Sequence, residues 1–188
     1  MSVDHATYFA NKLRKGSTLL YPTDTIWGIG CDAYNIDAIE QIYQAKSRDQ
    51  DKPLIVLVDT IEHLKRLIVD IHPRLETILH YYHKPVTVIY KSNKILPDKL
   101  ATPQGTIAIR IVDHPFCRSL IRQLGKPIVS TSANIQGLPF PKNFDEIDAI
   151  LKNEIDEIVI PEIADTIGHN PSVIMSCDQN GELKFIRD

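Results

Sequence analysis

No stretch of this chain reaches the roughly 20 consecutive apolar residues that a membrane-crossing helix needs. Residues 1–16 scatter charged side chains through the segment, so the uninterrupted apolar run of a secretory signal is missing as well. Cysteine is scarce. Cys31, Cys117 and Cys177 are widely spaced, form no C-x-x-C, and leave one thiol over in any disulfide scheme, which makes a reducing compartment, with the cytoplasm as default, the expectation. There is no excess of positive charge: a formal net charge of -3 excludes a surface that traps nucleic acid as a whole, though not a local basic groove. A G-x-x-x-x-G-K-[ST] phosphate loop is missing too, as are internal repeats, low-complexity tracts and long linkers. What remains is 43% hydrophobic and 24% charged, an ordinary balance for a globular chain. At 188 residues it suits one domain. A domain of this size buries roughly 70% of its unfolded surface.

Residues 4–15 read as an opening helix with Ala6, Phe9, Ala10 and Leu13 as its buried stripe, Ser2 or Asp4 as N-cap and Gly16 as its end. A short strand over 17–21 stops at Pro22, and a second extended segment covers 26–31. Ile36, Ile39, Ile42 and Tyr43 mark an amphipathic helix from Asn35 that ends near Lys46, and the continuous apolar run 54–58 reads as a strand buried on both faces. Helices are expected over 61–68, 73–82, 114–124 and 144–152, and strands over 86–90, 106–112, 127–131, 157–160, 172–176 and 183–186. Strands and helices without strict alternation imply an α/β or α+β domain built on a twisted mixed sheet.

Polar residues with no packing role recur two apart: Thr23 with Thr25, Lys46 with Arg48, Ser132 with Asn134. In an extended backbone such pairs share a face and converge on one ligand. Lys46-Ser47-Arg48 also fits a solvated helix end, where cations meet the carboxyl end of the dipole. With Lys52 nearby, however, an Arg fork and a mobile Lys charge suit an anion carrying phosphate and carboxylate. Ser132 and Asn134 leave an apolar strand, where ligands commonly bind in α/β sheets, or else bond their own loop. Arg110 sits in an apolar strand and requires either a protein acid or carbonyl, or a bound anion. Thr23 and Thr25 likewise fit local turn bonds, and Trp27 an ordinary core aromatic. Gly28-Ile29-Gly30-Cys31-Asp32-Ala33 matches G-x-G-x-x-A but lacks an evident β-α-β context, and His80 with His83 lack a third metal ligand. Cys31 reads as a small buried residue.

The ordered set of these motifs resembles the YrdC-like family, the threonylcarbamoyl-AMP synthases. It comprises Pro22-Thr23-Asp24-Thr25 after Tyr21 and before Gly28 and Gly30, Lys46 and Arg48 as K-x-R, Lys52-Pro53-Leu54, Pro85 with Thr87, and Arg110 in its strand. It continues with Ser132-Ala133-Asn134 and Gly137, Pro171-Ser172, and Ile186-Arg187. Asp49 stands where the family usually has proline after K-x-R, His83-Lys84-Pro85 replaces P-G-P, and Val173 ends the P-S-T stretch.

The resemblance implies one YrdC-like domain over 1–188, with a twisted mixed sheet flanked by helices and a basic concave groove. The extra carboxyl-terminal domain of longer relatives is expected to be absent. It further implies synthesis of threonylcarbamoyl-AMP from L-threonine, bicarbonate and ATP with pyrophosphate release, serving tRNA modification, with tRNA and tRNA-modification proteins as further partners. In that reading Lys46 and Arg48 are catalytic, Thr23, Thr25 and Arg48 hold threonine, and Lys46, Lys52, Arg110, Ser132 and Asn134 hold the nucleotide. Mg²⁺ arrives with ATP, since the chain offers no metal motif of its own. The competing readings are a non-catalytic RNA-binding module and a paralogue adenylating another carbamate or carboxylate.

Overall fold

The computed structural model describes residues 3–82, 84–161 and 170–187. Among them the helices are α1 (Val3–Arg14), α2 (Ile36–Ala45), α3 (Ile61–Lys65), α4 (Pro73–Tyr81), α5 (Pro115–Leu124) and α6 (Ala149–Asn153). The strands are β1 (Leu19–Tyr21), β2 (Gly28–Gly30), β3 (Ile55–Val58), β4 (Val86–Lys91), β5 (Thr106–Ile111), β6 (Ile128–Ser132), β7 (Glu157–Ile158), β8 (Val173–Cys177) and β9 (Leu183–Arg187). They form one mixed sheet in the order β7-β1-β2-β6-β3-β5-β4-β8-β9. Pairs β1/β7, β3/β5 and β4/β8 are parallel and the remaining neighbours antiparallel.

Side chains alternate across a strand, so each face of the sheet has its own partners. One face, with Leu20, Ile29, Val56, Val88, Ile109 and Val129, packs on Ile39 and Ile42 of α2, Leu64 of α3 and Leu75 of α4. The other presents Leu19, Tyr21, Leu57 and Ile128 to Phe9 and Leu13 of α1 and to Phe116 and Leu120 of α5. Those helices cover only part of it. Ser130, Ile55, Ala108 and Ile89 stand side by side in register on the same face and line a cavity instead. The site is therefore the stretch of sheet that its helical layer leaves open.

Two expected helices are shorter than their hydrophobic pattern. The pattern over 144–152 yields only α6, because Asn143 and Glu146 side chains take the backbone donors of Glu146 and Lys142, and Asp148 then caps the helix at Ile150. The pattern over 61–68 ends at Arg66, and Leu67 and Ile68 are buried from the turn that follows. Ser2 as a possible cap and His83 of the His80/His83 pair lie outside the described residues. The G-x-G-x-x-A match is not a nucleotide turn: Gly28–Gly30 is β2, antiparallel to both β1 and β6. Its glycines permit close strand approach. A Cβ on Gly30 would lie 1.9 Å from the Val129 carbonyl oxygen and 3.0 Å from the Tyr21 hydroxyl. Gly30→Ala is therefore expected to cost about 3 kcal/mol through forced strand displacement, read as a lower urea midpoint at unchanged slope.

Candidate active site

A cavity of about 630 Å³ opens on the exposed part of the sheet, and Thr23, Thr25, Lys46, Arg48, Lys52, Arg110, Ser132 and Asn134 all line it. The three spaced pairs do converge, but not through extended backbone. Thr23–Thr25 and Ser132–Asn134 run into bends, and Lys46 is a helix C-cap.

The turn after α2 explains how Lys46 and Arg48 reach the same space. The Arg48 N–H donates to the Tyr43 carbonyl (2.9 Å) and the Ser47 N–H to that of Gln44 (3.0 Å), a Schellman closure with Ser47 left-handed at φ 46°. A left-handed residue between them turns the chain sharply and sends the flanking side chains to different tasks. Lys46, 1% exposed, donates from Nζ to the carbonyls of Ser132 and Asn134, which excludes the solvated helix end. The Arg48 Nε and NH2 groups donate to the carbonyls of Lys52 and Pro53, each at 3.1 Å. Lys52 is half-exposed, with Nζ 3.1 Å from Asp49 Oδ2.

Thr23, Thr25 and Arg110 form a directed chain. The Thr23 hydroxyl donates to the Ile26 carbonyl (2.7 Å), so the hydrogen between the two threonine hydroxyls, 2.8 Å apart, comes from Thr25. Arg110 NH1 in turn donates to Thr25 Oγ1 at 3.0 Å and lies 3.2 Å from Asp24 Oδ1. Arg110 thus has the protein acid that one sequence reading required, and it also faces the cavity. Both threonine hydrogens are spent within the protein, and the Thr25 backbone N–H also donates to Thr23 Oγ1 (3.0 Å), so the acceptor lone pair left for an incoming N–H is on Thr25. Arg110 Nε, Trp27 Nε1 and Asn134 Oδ1 have no hydrogen-bond partner among the described residues, although Asn134 Nδ2 donates to the Leu138 carbonyl. Trp27 packs on Phe144 (5.1 Å between ring centres) and also borders the cavity.

Sequence reasoning did not assign Arg187, Ser172 or Gln136 to the site, yet all three line it. The Pro171-Ser172 and Ile186-Arg187 motifs were the available signal for two of them. Strand β8 pairs with both β4 and β9, which brings these late residues beside Thr87 and Arg110: Thr87 and Ser172 hydroxyls are 2.7 Å apart, and Arg187 NH2 donates to the Ser172 carbonyl (2.9 Å). Gln136 had no signal of its own.

Lys46, Arg48, Lys52, Arg110 and Arg187 face the cavity against one lining carboxylate among the described residues, Asp51. Burial, with Arg48 nearby, lowers the Lys46 amine to about 7. Burial also lowers Arg48, and burial with Arg110 nearby lowers Arg187. Arg110 has Asp24 and Lys52 has Asp49, but Lys46 and Arg48 are desolvated with no carboxylate partner among the described residues, which is costly unless an anion joins them. The cavity is therefore built for a multiply anionic ligand. Its floor is apolar, from Ile55, Ile89, Ala108 and Ile174. No group of three or more His, Cys, Asp or Glu side chains is gathered for a metal among the described residues, and no helix among them is long and apolar enough to cross a membrane.

Known proteins share both sequence and fold. The Sua5, YciO and YrdC family model, described as "Telomere recombination", matches residues 11–188. The threonylcarbamoyl-AMP synthase of Pseudomonas fluorescens strain Pf-5 is 31% identical over 166 residues, 88% of each chain. P. abyssi Sua5, solved in complex with L-threonine, superimposes with a TM-score of 0.86 at 24% identity; all of this chain is covered, but only 54% of Sua5. E. coli YciO superimposes with a TM-score of 0.85 at 22% identity, over 100% of this chain and 90% of YciO. At those identities the two structures speak for the fold, while the matched family model and the curated relative extend the kinship to sequence. The chain belongs to the Sua5, YciO and YrdC family.

Proposed function

We propose that this chain is an L-threonylcarbamoyladenylate synthase, a nucleotidyltransferase that makes threonylcarbamoyl-AMP from L-threonine, bicarbonate and ATP for tRNA modification. The observation that carries the reading is the cationic cavity in which Lys46 and Arg48 have no carboxylate partner among the described residues, set over an apolar floor. The curated relative's name and the threonine bound in P. abyssi Sua5 agree with it. The threonine amine, once deprotonated, attacks bicarbonate carbon to give a carbamate and water. A carbamate oxygen then attacks the α-phosphorus, and pyrophosphate leaves with the bond's electron pair. Both steps bring anions together, so positioning and charge stabilisation provide most of the rate.

In this assignment Lys46 and Arg48 meet phosphate and carboxylate, Thr25 accepts the amine N–H, and Thr23 positions threonine by holding the Thr25 hydroxyl in place. Ser132, Asn134, Arg110 and Lys52 hold the nucleotide, joined by Arg187. The adenine lies on the apolar floor. Magnesium comes with ATP through its phosphates; Asp51 is the one lining carboxylate within the described residues, too few donors for a resident ion. The free thiols of Cys31, Cys117 and Cys177 fit a reducing compartment such as the cytoplasm, where tRNA and its modifying proteins would take the product.

The test is pyrophosphate release from ATP and bicarbonate with L-threonine, L-serine or no amino acid, with the product identified by mass. Threonine-dependent release is expected. Serine-dependent release would indicate a paralogue, and salt-sensitive RNA binding without ATP turnover would indicate a binding module.

A further inference from the structure

One wall of the cavity is made by two loops, 46–53 and 132–138, which are tied together at three points. Near the sheet, Lys46 Nζ binds the carbonyls of Ser132 and Asn134. Farther out, Gln136 Nε2 donates to Asp49 Oδ2 (2.8 Å), while the Asp49 backbone N–H donates to Gln136 Oε1 (3.1 Å). The Gln136 N–H also donates to the Lys46 carbonyl (3.2 Å). A primary amide offers a donor and an acceptor at once, and a carboxylate beside its own backbone N–H is its complement. Beyond the left-handed Ser47, the outer turn's other bonds stay within it, namely Lys52 N–H to the Asp49 carbonyl, Lys52 Nζ to the Asp49 carboxylate and Arg48 to the carbonyls of Lys52 and Pro53, or run to α2 and Lys99, namely the Tyr43 hydroxyl to the Lys52 carbonyl (3.2 Å), Gln50 Nε2 to Glu40 Oε1 (3.0 Å) and Lys99 Nζ to Gln50 Oε1 (2.9 Å). The Gln136–Asp49 pair is the tie from this outer turn across to the opposite loop.

We infer that Gln136 is a positioning residue whose two-way pairing with Asp49 locks the turn carrying Lys46, Arg48 and Lys52 to the loop carrying Ser132 and Asn134. The lock fixes the spacing between the cations and the groups of the opposite loop before ligand arrives, which spares binding the entropy of ordering two loops. Naming ATP as the ligand rests on the synthase reading; the lock itself does not.

Four proteins test it: wild type, Gln136→Glu, Asp49→Asn, and the two changes combined. Gln136→Glu sets two carboxylates where the amide pair stood. Asp49→Asn keeps an acceptor for the Gln136 amide. The combined variant rebuilds a complementary pair with donation reversed and the net charge of wild type. ATP affinity is read by calorimetry, and loop order by amide hydrogen exchange over 47–53 and 133–138. Gln136→Glu is expected to weaken ATP about tenfold and to speed exchange in both loops, including the one without the substitution. Asp49→Asn stays within about threefold of wild type, and the combined variant recovers to the same range. A combined variant as impaired as Gln136→Glu, unchanged exchange over 47–53 in Gln136→Glu, or unchanged ATP affinity there would each overturn the lock. Should wild type release no pyrophosphate with threonine, the synthase reading fails, and the exchange data still decide the lock.

Discussion

Lys46→Met is expected to lower threonylcarbamoyl-AMP synthesis roughly a thousandfold while leaving the protein folded. Methionine keeps the length and apolar stem of lysine but removes both the charge and the donors. Two effects oppose each other in stability. The carbonyls of Ser132 and Asn134 lose their lysine donor, and a buried charge with no carboxylate partner disappears. The net change is expected within about 2 kcal/mol. The pH dependence separates this residue from the background. With Lys46 at about 7 in the fold and 10.5 as its ordinary value, the unfolded chain holds more protons between those limits, so stability rises with pH across the window. Below it, lysine is charged in both states and this contribution is gone. The informative interval is pH 7 to about 8, and because ionisation of the unfolded chain's cysteines is common to both proteins, the comparison with Lys46→Met removes it. Across it wild type should gain on the order of 1 kcal/mol relative to Lys46→Met. An anion entering the cavity pulls the amine back towards its ordinary value, so ATP binding near pH 8 should take up protons in wild type only. That uptake is read from calorimetry in buffers of different ionisation enthalpy.

Arg110→Met is expected to damage stability and synthesis together. Arg110 is 4% exposed, faces Asp24 on one side and donates to Thr25 on the other. Without it the Asp24 carboxylate keeps the Asp113 N–H at 3.2 Å as its hydrogen-bond donor among the described residues, and breaking a buried pair costs about 3 kcal/mol. The Thr25 hydroxyl loses its Arg110 donor, although its donation to Thr23 stays fixed by the Thr23–Ile26 bond. Synthesis should fall at least about a hundredfold. Adding Asp24→Asn separates the two losses: thermal midpoint and urea midpoint should largely return, because no uncompensated charge remains, while synthesis should stay low. Recovery of synthesis along with stability would mean that Arg110 serves the fold alone.

The parts of this architecture that sequence made legible are those decided by local periodicity. Phe116, Cys117, Leu120, Ile121 and Leu124 recur at helical spacing and are buried along α5, and Gly125 ends that helix at φ 74°. The run after Pro53 is likewise a central strand, buried from Val56 to Val58. Features decided by side-chain bonding were not legible. The helix expected from Phe144 starts late because Asn143 and Glu146 capture backbone donors, which hydrophobic spacing does not record. At the site, eight residues chosen from spacing and family resemblance line one cavity, but the extended-backbone argument for their convergence did not hold. A serine at a left-handed position carries no sequence mark comparable to glycine, so the turn that buries Lys46 was invisible. The Asp24 partner of Arg110 and the nearness of Arg187 arise from strand pairing across most of the chain, and periodicity is silent on that.

The most direct test of the central claim supplies wild-type protein with ATP, L-threonine and bicarbonate labelled with heavy carbon, and weighs the adenylate product. The account predicts threonylcarbamoyl-AMP heavier by the label, formed with pyrophosphate and absent when threonine is omitted. An adenylate lacking the heavy carbon, or ATP breakdown indifferent to threonine, would contradict it.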